Sequence, residues 1–246
     1  MIRSKDHGAT WSTPEDGNLT SMLLRSNISM MQWGEGQGVV LPGGDGLLLC
    51  GWFKPAGTPA GELRGNTSVA CIASTDAGES WEVRGQLPLP LPSAVNEVAI
   101  GLTPNGSVYA SYRSNTRVKT RYQSWSNDGG RTFSKTSYGV LPAPVCNAGI
   151  MGIDGGEQMV YAHIEPGVNT TTGLSLETRE NMVVRTSRDG GGTFSPPTPI
   201  NGGLPAAYIA LTTADRAGTV GALYEHGHTH TDSCYQHISY QEMTFA

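Results

Sequence analysis

One eight-residue pattern, Ser-x-Asp-x-Gly-x-Ser/Thr-aromatic, constrains this chain more than any other feature. It occurs four times in 246 residues, at 4–11, 74–81, 126–133 and 187–194. Each copy follows a β-rich run and precedes another. That placement suits a strand-to-strand turn. The Asp side chain caps loop amides, the Gly takes a left-handed angle, and the aromatic ring is expected to bury against a sheet. A turn repeated at intervals of several strands implies a repeated β unit, each burying its face on the next. These residues are structural, and none is assigned to chemistry.

Composition agrees. With 33 Gly, 15 Pro and only 15% charged residues, the chain suits many strands joined by tight turns, and long helices are not expected. Strand-like runs fall at 38–41, 47–53, 68–74, 98–102, 108–112, 121–126, 149–153, 159–163, 182–187, 207–213, 219–225 and 237–244. One repeat per four-stranded unit implies an all-β fold of the β-propeller kind, with roughly four to five blades of about 40–60 residues. No linker or charge run divides residues 1–246 into two domains. Only three residues precede the first repeat, too few for a paired strand, so the propeller is expected to be incomplete at its N-terminus. No apolar run is long enough to span a membrane. A net charge of −5 without a basic run disfavours a nucleic-acid partner, and an anionic small substrate would need a local arginine cluster. Cys50 and Cys71 lie in apolar strand runs and read as buried free thiols. Sequons at Asn18, Asn27, Asn66, Asn105 and Asn169 lean towards a secreted or lysosomal-type compartment, although no signal peptide precedes them.

Two hairpins carry the candidate chemistry. Asn105-Gly106 between β-rich runs reads as a two-residue turn, because both central positions need positive φ. Residue 104 then faces 107, Glu97 faces Ser114, and Val98 faces Arg113. Glu97 and Arg113 share the open end of the hairpin but lie on opposite faces, unless a bulge, with Gly101 a candidate, or frayed strand ends let both point into one site. In the second hairpin a four-residue loop at 215–218 places Tyr208 opposite Glu225, again at the open end.

With these motifs in view, the sequence resembles the sialidases, exo-α-sialidases built on a six-bladed propeller with Asp-box repeats. Residues 33–41, Trp-Gly-Glu-Gly-Gln-Gly-Val-Val-Leu, are similar to the family's Gly-Pro-Gly-x-Gly-Ile segment. Asn96-Glu97, followed by Arg113 and Arg121, is similar to its catalytic glutamate and second triad arginine. Arg179, leading into the fourth repeat, looks like the third triad arginine, with Arg185 a competitor in the same stretch. Tyr208 resembles the family's nucleophile, and residues 221–225, Gly-Ala-Leu-Tyr-Glu, resemble its following strand. The resemblance implies hydrolysis of terminal sialic acids from sialylated glycans, with Tyr208 and Glu97 catalytic and Arg113, Arg179 and Glu225 binding or supporting the substrate. It implies no cofactor and no metal. The family's first arginine and its acid/base aspartate precede the first repeat and have no counterpart here, so activity is expected to be impaired, and Glu225 would lack the arginine it orients.

The competing readings are a non-catalytic sialic-acid-binding propeller and a purely structural one. His226, His228, His230, Asp232 and His237 read as a polar loop rather than a metal site. Trp33, Trp52 and Trp125 read as packing residues. The Gly-Gly pairs at 43–44, 155–156, 190–192 and 202–203 read as turns.

Overall fold

The structure, a computed structural model, describes residues 2–15, 18–34, 38–44, 46–58, 67–88, 95–114, 120–153, 156–166 and 178–245. Residues 35–37 of the glycine-rich segment, Asn66, Asn169 and Gly155 lie outside the described residues. The secondary structure is β apart from a 3₁₀ turn and one short helix, α1 (Leu19–Arg25), which packs Met22 against Ile72 and Trp81.

Among the described residues, sixteen strands form four successive antiparallel sheets. The first holds β1 (Ile28–Trp33), β2 (Val39–Val40), β3 (Leu47–Pro55), β4 (Ser68–Ser74) and β5 (Glu82–Gln86). The second holds β6 (Val95–Leu102), β7 (Val108–Ser114), β8 (Thr120–Ser126) and β9 (Ser137–Pro142). The third holds β10 (Ala148–Ile153), β11 (Gln158–Ile164), β12 (Met182–Ser187) and β13 (Thr198–Pro199). The fourth holds β14 (Ala206–Thr213), β15 (Thr219–His226) and β16 (His237–Thr244). β10 packs on both β6 and β14, while β3 packs on β6. Strands inside the stack are buried on both faces, as in β11, and outer strands such as β16 alternate towards solvent.

The last three repeats join the last two strands of the first, second and third sheets. In every repeat the Ser hydroxyl donates to the Asp carboxylate and accepts from the Gly N–H, and the Ser/Thr N–H and hydroxyl both donate to the Asp. The Gly residues at 8, 78, 130 and 191 all have φ between 86° and 94°. Trp81 is buried, and Phe133 and Phe194 pack on the cores, but Trp11 is exposed. The first ring does not bury as expected, because no strand precedes its turn among the described residues. The turns also make longer-range contacts. Arg3, ahead of the first repeat, donates to the carbonyls of Ala77 and Gly78, and the Trp125 indole links the second sheet to the third by donating to Gly190 O.

Several expectations are corrected. Cys50 and Cys71 are not free thiols: they face each other across the β3–β4 ladder and form a disulfide. Cys146 and Cys234 are the free cysteines. The first hairpin pairs Thr103 with Ser107 through the Thr103 N–H, so its loop has three residues, with Gly106 at φ 79°. Gly101 is not bulged and pairs regularly with Tyr109. A Cβ there would lie 2.5 Å from Ile150 Cγ2, so this glycine lets β6 and β10 approach closely. The Asn18 side chain is also committed, since its Nδ2 donates to Trp81 O and its Oδ1 accepts from Trp81 N.

The Asp-box hydrogen bonds hold all four aspartates at about 2, against an ordinary 3.8. At Asp76 the Ser80 hydroxyl is the largest cause. At Asp128 burial opposes the shift, and Thr132 overcomes it. A depressed folded pKa gives stability that is full above the unfolded value and lost as pH falls through the folded one. The melting temperature is therefore expected to hold down to about pH 4 and fall between about pH 4 and 2. Asp128→Asn should lower it at neutral pH and flatten that fall. A melting temperature unchanged to about pH 2 would contradict this role.

Candidate active site

The site forms at the open ends of two hairpins, on the opposite side of the sheets from the repeat turns. In the second sheet Asn96 pairs with Arg113 and Val98 with Tyr112, so Glu97 is the inserted residue of a β-bulge, at φ 38°. The bulge turns the Glu97 carboxylate onto the side occupied by Arg113. Arg113 Nη1 donates to Glu97 Oε1 at 2.5 Å, and both side chains are largely buried. The required bulge is present, at Glu97 itself rather than at Gly101.

The second hairpin follows its expected register from Thr213↔Val220 to Ile209↔Tyr224. The ladder then shifts between Ala206 and Ile209, which frees Tyr208 from regular pairing. Its N–H donates to Glu225 Oε2 at 3.3 Å, and its hydroxyl donates to Glu97 Oε1 at 2.7 Å. One carboxylate oxygen thus accepts from both Arg113 and Tyr208. Glu97 Oε2 and Arg113 Nε are buried without a hydrogen-bond partner among the described residues.

Arg179 lies beside Tyr208. Its backbone carbonyl accepts from Ala206 N at 2.9 Å, and its guanidinium stands 5.6 Å from the centroids of both the Tyr208 and Tyr235 rings. Nη2 donates to Val145 O at 2.7 Å and Nη1 to the Tyr235 hydroxyl. Arg185 is engaged elsewhere, in an ion pair with Glu165 and a hydrogen bond to Ser195 O. Of the two, Arg179 stands beside Tyr208 and Arg185 does not.

Two residues that contact the candidate site escaped the sequence reading. Tyr235, on the β15–β16 loop, covers Arg179. Arg121 donates to the Glu97 carbonyl beneath the bulge. Nothing in the local sequence marks Tyr235; Arg121 stood in the right motif but had no assigned role. His226, His228 and His237 stack with ring centroids 4.0–5.8 Å apart, and His226 is held by Gly227 O and Ser239. Among the described residues no group of His, Cys, Asp or Glu is placed to hold a metal ion, and no helix is long and apolar enough to cross a membrane.

The electrostatics follow from this packing. Burial, then the hydrogen bond and charge of Glu97, push the Tyr208 phenol up to about 12, against the opposing Arg113 and Arg179. Burial works against the charge of Arg113, but its bond to Glu97 and the Glu97 charge more than offset this, so its pKa is raised. Tyr208 is thus a neutral phenol whose hydroxyl already points at a carboxylate. A cavity of about 160 Å³ is lined by Tyr208, Glu225, Asn147, Leu223 and Ile238. A larger cavity, about 590 Å³, lies at the far ends of β6, β10 and β14 and touches none of these catalytic candidates.

The profile of the BNR repeat-like domain family matches residues 1–225. The chain belongs to that family. No curated protein matches its sequence. Among solved structures it is similar to the NanB sialidase from Streptococcus pneumoniae, with TM-score 0.60 and 16% identity over 91% of this chain and 32% of that one. It is also similar to the intramolecular trans-sialidase from Ruminococcus gnavus, with TM-score 0.71 and 16% identity over 99% and 49%. A third similar structure is the α-L-arabinanase of Penicillium chrysogenum, with TM-score 0.59 and 17% identity over 99% and 72%. The chain spans about a third of the NanB chain and about half of the R. gnavus one. At these identities the BNR fold is what is shared, and glycoside hydrolases are among the proteins that carry it.

Replacing Glu97 by Gln removes the carboxylate charge from Tyr208. The phenol should then ionise below its present value of about 12, moving towards the ordinary 10. The phenolate ultraviolet band, taken as a difference against Tyr208→Phe, reads this directly. An unchanged titration would show that Glu97 does not act on Tyr208.

Proposed function

We propose that this BNR-repeat chain is an exo-α-sialidase-like glycoside hydrolase of the retaining kind, acting on terminal sialic acids of glycoconjugates. Its four sheets are read as blades of a six-bladed propeller. The observation that carries the proposal is the Tyr208 hydroxyl 2.7 Å from Glu97 Oε1, with two arginines alongside.

The residue types fit the substrate. Sialic acid bears a carboxylate on its anomeric carbon, which would repel a carboxylate nucleophile, whereas a neutral phenol escapes that repulsion. A phenol held at about 12 is a poor nucleophile until a base takes its proton, and Glu97 is within hydrogen-bond reach. As Tyr208 Oη bonds to the anomeric carbon, its proton passes to Glu97 and the glycosidic oxygen leaves with the bonding pair. Water then attacks the same carbon, releases the sugar and returns the phenol. Arg113 and Arg179 grip the sugar carboxylate, a task for planar guanidinium forks. The arabinanase neighbour, complexed with arabinobiose, shares the fold but acts on a sugar without a carboxylate. A pair of arginines beside the phenol supports an acidic sugar here.

Glu225 receives the Tyr208 N–H and is assigned to holding the nucleophile's strand. No residue assigned here protonates the leaving group, so an activated aryl sialoside isolates the Tyr208–Glu97 step. Turnover of a fluorogenic aryl sialoside is expected. Tyr208→Phe and Glu97→Gln should each reduce kcat on the order of 10²–10⁴-fold. Sialyl-lactose, which needs a protonated leaving group, should be turned over more slowly by a similar factor. Sialic-acid binding without turnover would favour the non-catalytic glycan-binding reading. Turnover indifferent to Tyr208→Phe would overturn the proposed chemistry.

A further inference from the structure

Arg121 has no part in the chemistry just described, yet its burial calls for a cause. It is 3% exposed, and its hydrogen bonds among the described residues go to no carboxylate. Nη2 donates to Glu97 O at 2.5 Å and to Ser111 O at 3.1 Å, Nη1 to Cys146 O at 2.5 Å, and Nε to Ser111 Oγ at 3.0 Å. A buried cation solvated mainly by backbone carbonyls fixes those peptides firmly, because losing any one strands part of a charge.

The two carbonyls taken at 2.5 Å belong to different sheets. Glu97 is the bulged third residue of β6 in the second sheet, and Cys146 lies just before β10 of the third. The segment 145–147 in turn reaches the fourth sheet on both sides of Tyr208. Cys146 Sγ donates to Ala207 O at 3.2 Å. Asn147 Nδ2 donates to Ile209 O, and Ile209 N donates to Asn147 Oδ1, both at 3.1 Å. The carbonyl of Val145 receives Arg179. Base, nucleophile and carboxylate-binding arginine are therefore tied to one guanidinium plane, directly or through three consecutive residues.

We propose that Arg121 is a positioning residue, which sets the Glu97–Tyr208 approach across three sheets by holding the carbonyls of Glu97 and Cys146 in one rigid fork. The proposal rests on the reading of these two residues as base and nucleophile. Lysine cannot replace it: an ammonium keeps the charge but lacks the planar fork that spans two fixed carbonyls.

The test uses tyrosine labelled at the ζ-carbon, whose signal for Tyr208, assigned with Tyr208→Phe, reports the hydrogen bond to Glu97 at neutral pH without any substrate. Glu97→Ala supplies the position of that signal when the bond is gone. In Arg121→Lys the Tyr208 signal should move at least halfway to the Glu97→Ala position. On an aryl sialoside kcat should fall by about tenfold to a hundredfold, with KM changing by less than about twofold. A merely structural arginine would lower the melting temperature and leave the Tyr208 signal in place, and that result overturns the proposal. If Arg121→Lys does not fold, Asn147→Ala cuts the same tie next to Tyr208 and carries the same two outcomes. If the unmodified chain turns over no sialoside, the functional reading fails, while the carbon signal still decides whether Arg121 sets the pair.

Discussion

Glu97 Oε1 is the atom on which the site converges, since it accepts from Arg113 and from Tyr208 at once. The arrangement is costly in isolation. Burying a carboxylate costs several kcal/mol, and a non-glycine residue at φ 38° adds on the order of 1–3 kcal/mol. Charge-assisted hydrogen bonds return about 1.5–3 kcal/mol each, so the two on Oε1 roughly balance those costs and no more. The excess that keeps Glu97 in place must come from the surrounding ladders. A bulge with regular pairing on one side and Arg121 beneath it is how that stability reaches the carboxylate.

The scaffold separates two tasks by putting them at opposite ends of its strands. At one end the Asp-box turns close the first three sheets with the same hydrogen bonds, and Trp125 ties the second sheet to the turn of the third. At the other end ladders are interrupted at Glu97 and around Tyr208, where side chains need freedom from regular pairing. Between the ends, β6, β10 and β14 approach closely, with glycines at 101 and 149 opposite Ile150 and Leu211. Rigid turns and tight interiors let irregular backbone persist where the chemistry is.

Much of this was legible in the sequence because it is local. The four turns are written in eight-residue patterns, and the register of the second hairpin from Thr213↔Val220 to Ile209↔Tyr224 follows from counting across one short loop. The expected Tyr208↔Glu225 pair is lost to a shift in the ladder. What escaped depends on distant partners. The bulge falls at Glu97 rather than Gly101 because Arg121, on the neighbouring strand pair, draws out the Glu97 carbonyl, while Ile150 of another sheet claims the space over Gly101. Cys50 and Cys71 read as apolar core residues, and only the β3–β4 register makes them direct neighbours. Tyr235 sits in a polar loop, where nothing but the fold brings it onto Arg179.

The two site arginines are not equivalent, and the difference bears on how an anion would be held. Arg113 shares its charge with Glu97, so much of its field is cancelled at a distance. Arg179 bonds, among the described residues, to neutral groups only: Val145 O, the Tyr235 hydroxyl and the faces of two tyrosines. It therefore carries an uncompensated positive charge beside the Tyr208 ring. The chain as a whole is acidic, with a net charge of −5, so it offers an anion no long-range attraction. Attraction must act within a screening length of about 8–10 Å, so on the proposed reading Arg179 is the group that would capture a sugar carboxylate. Arg113, already paired with Glu97, would then fix its orientation relative to Tyr208.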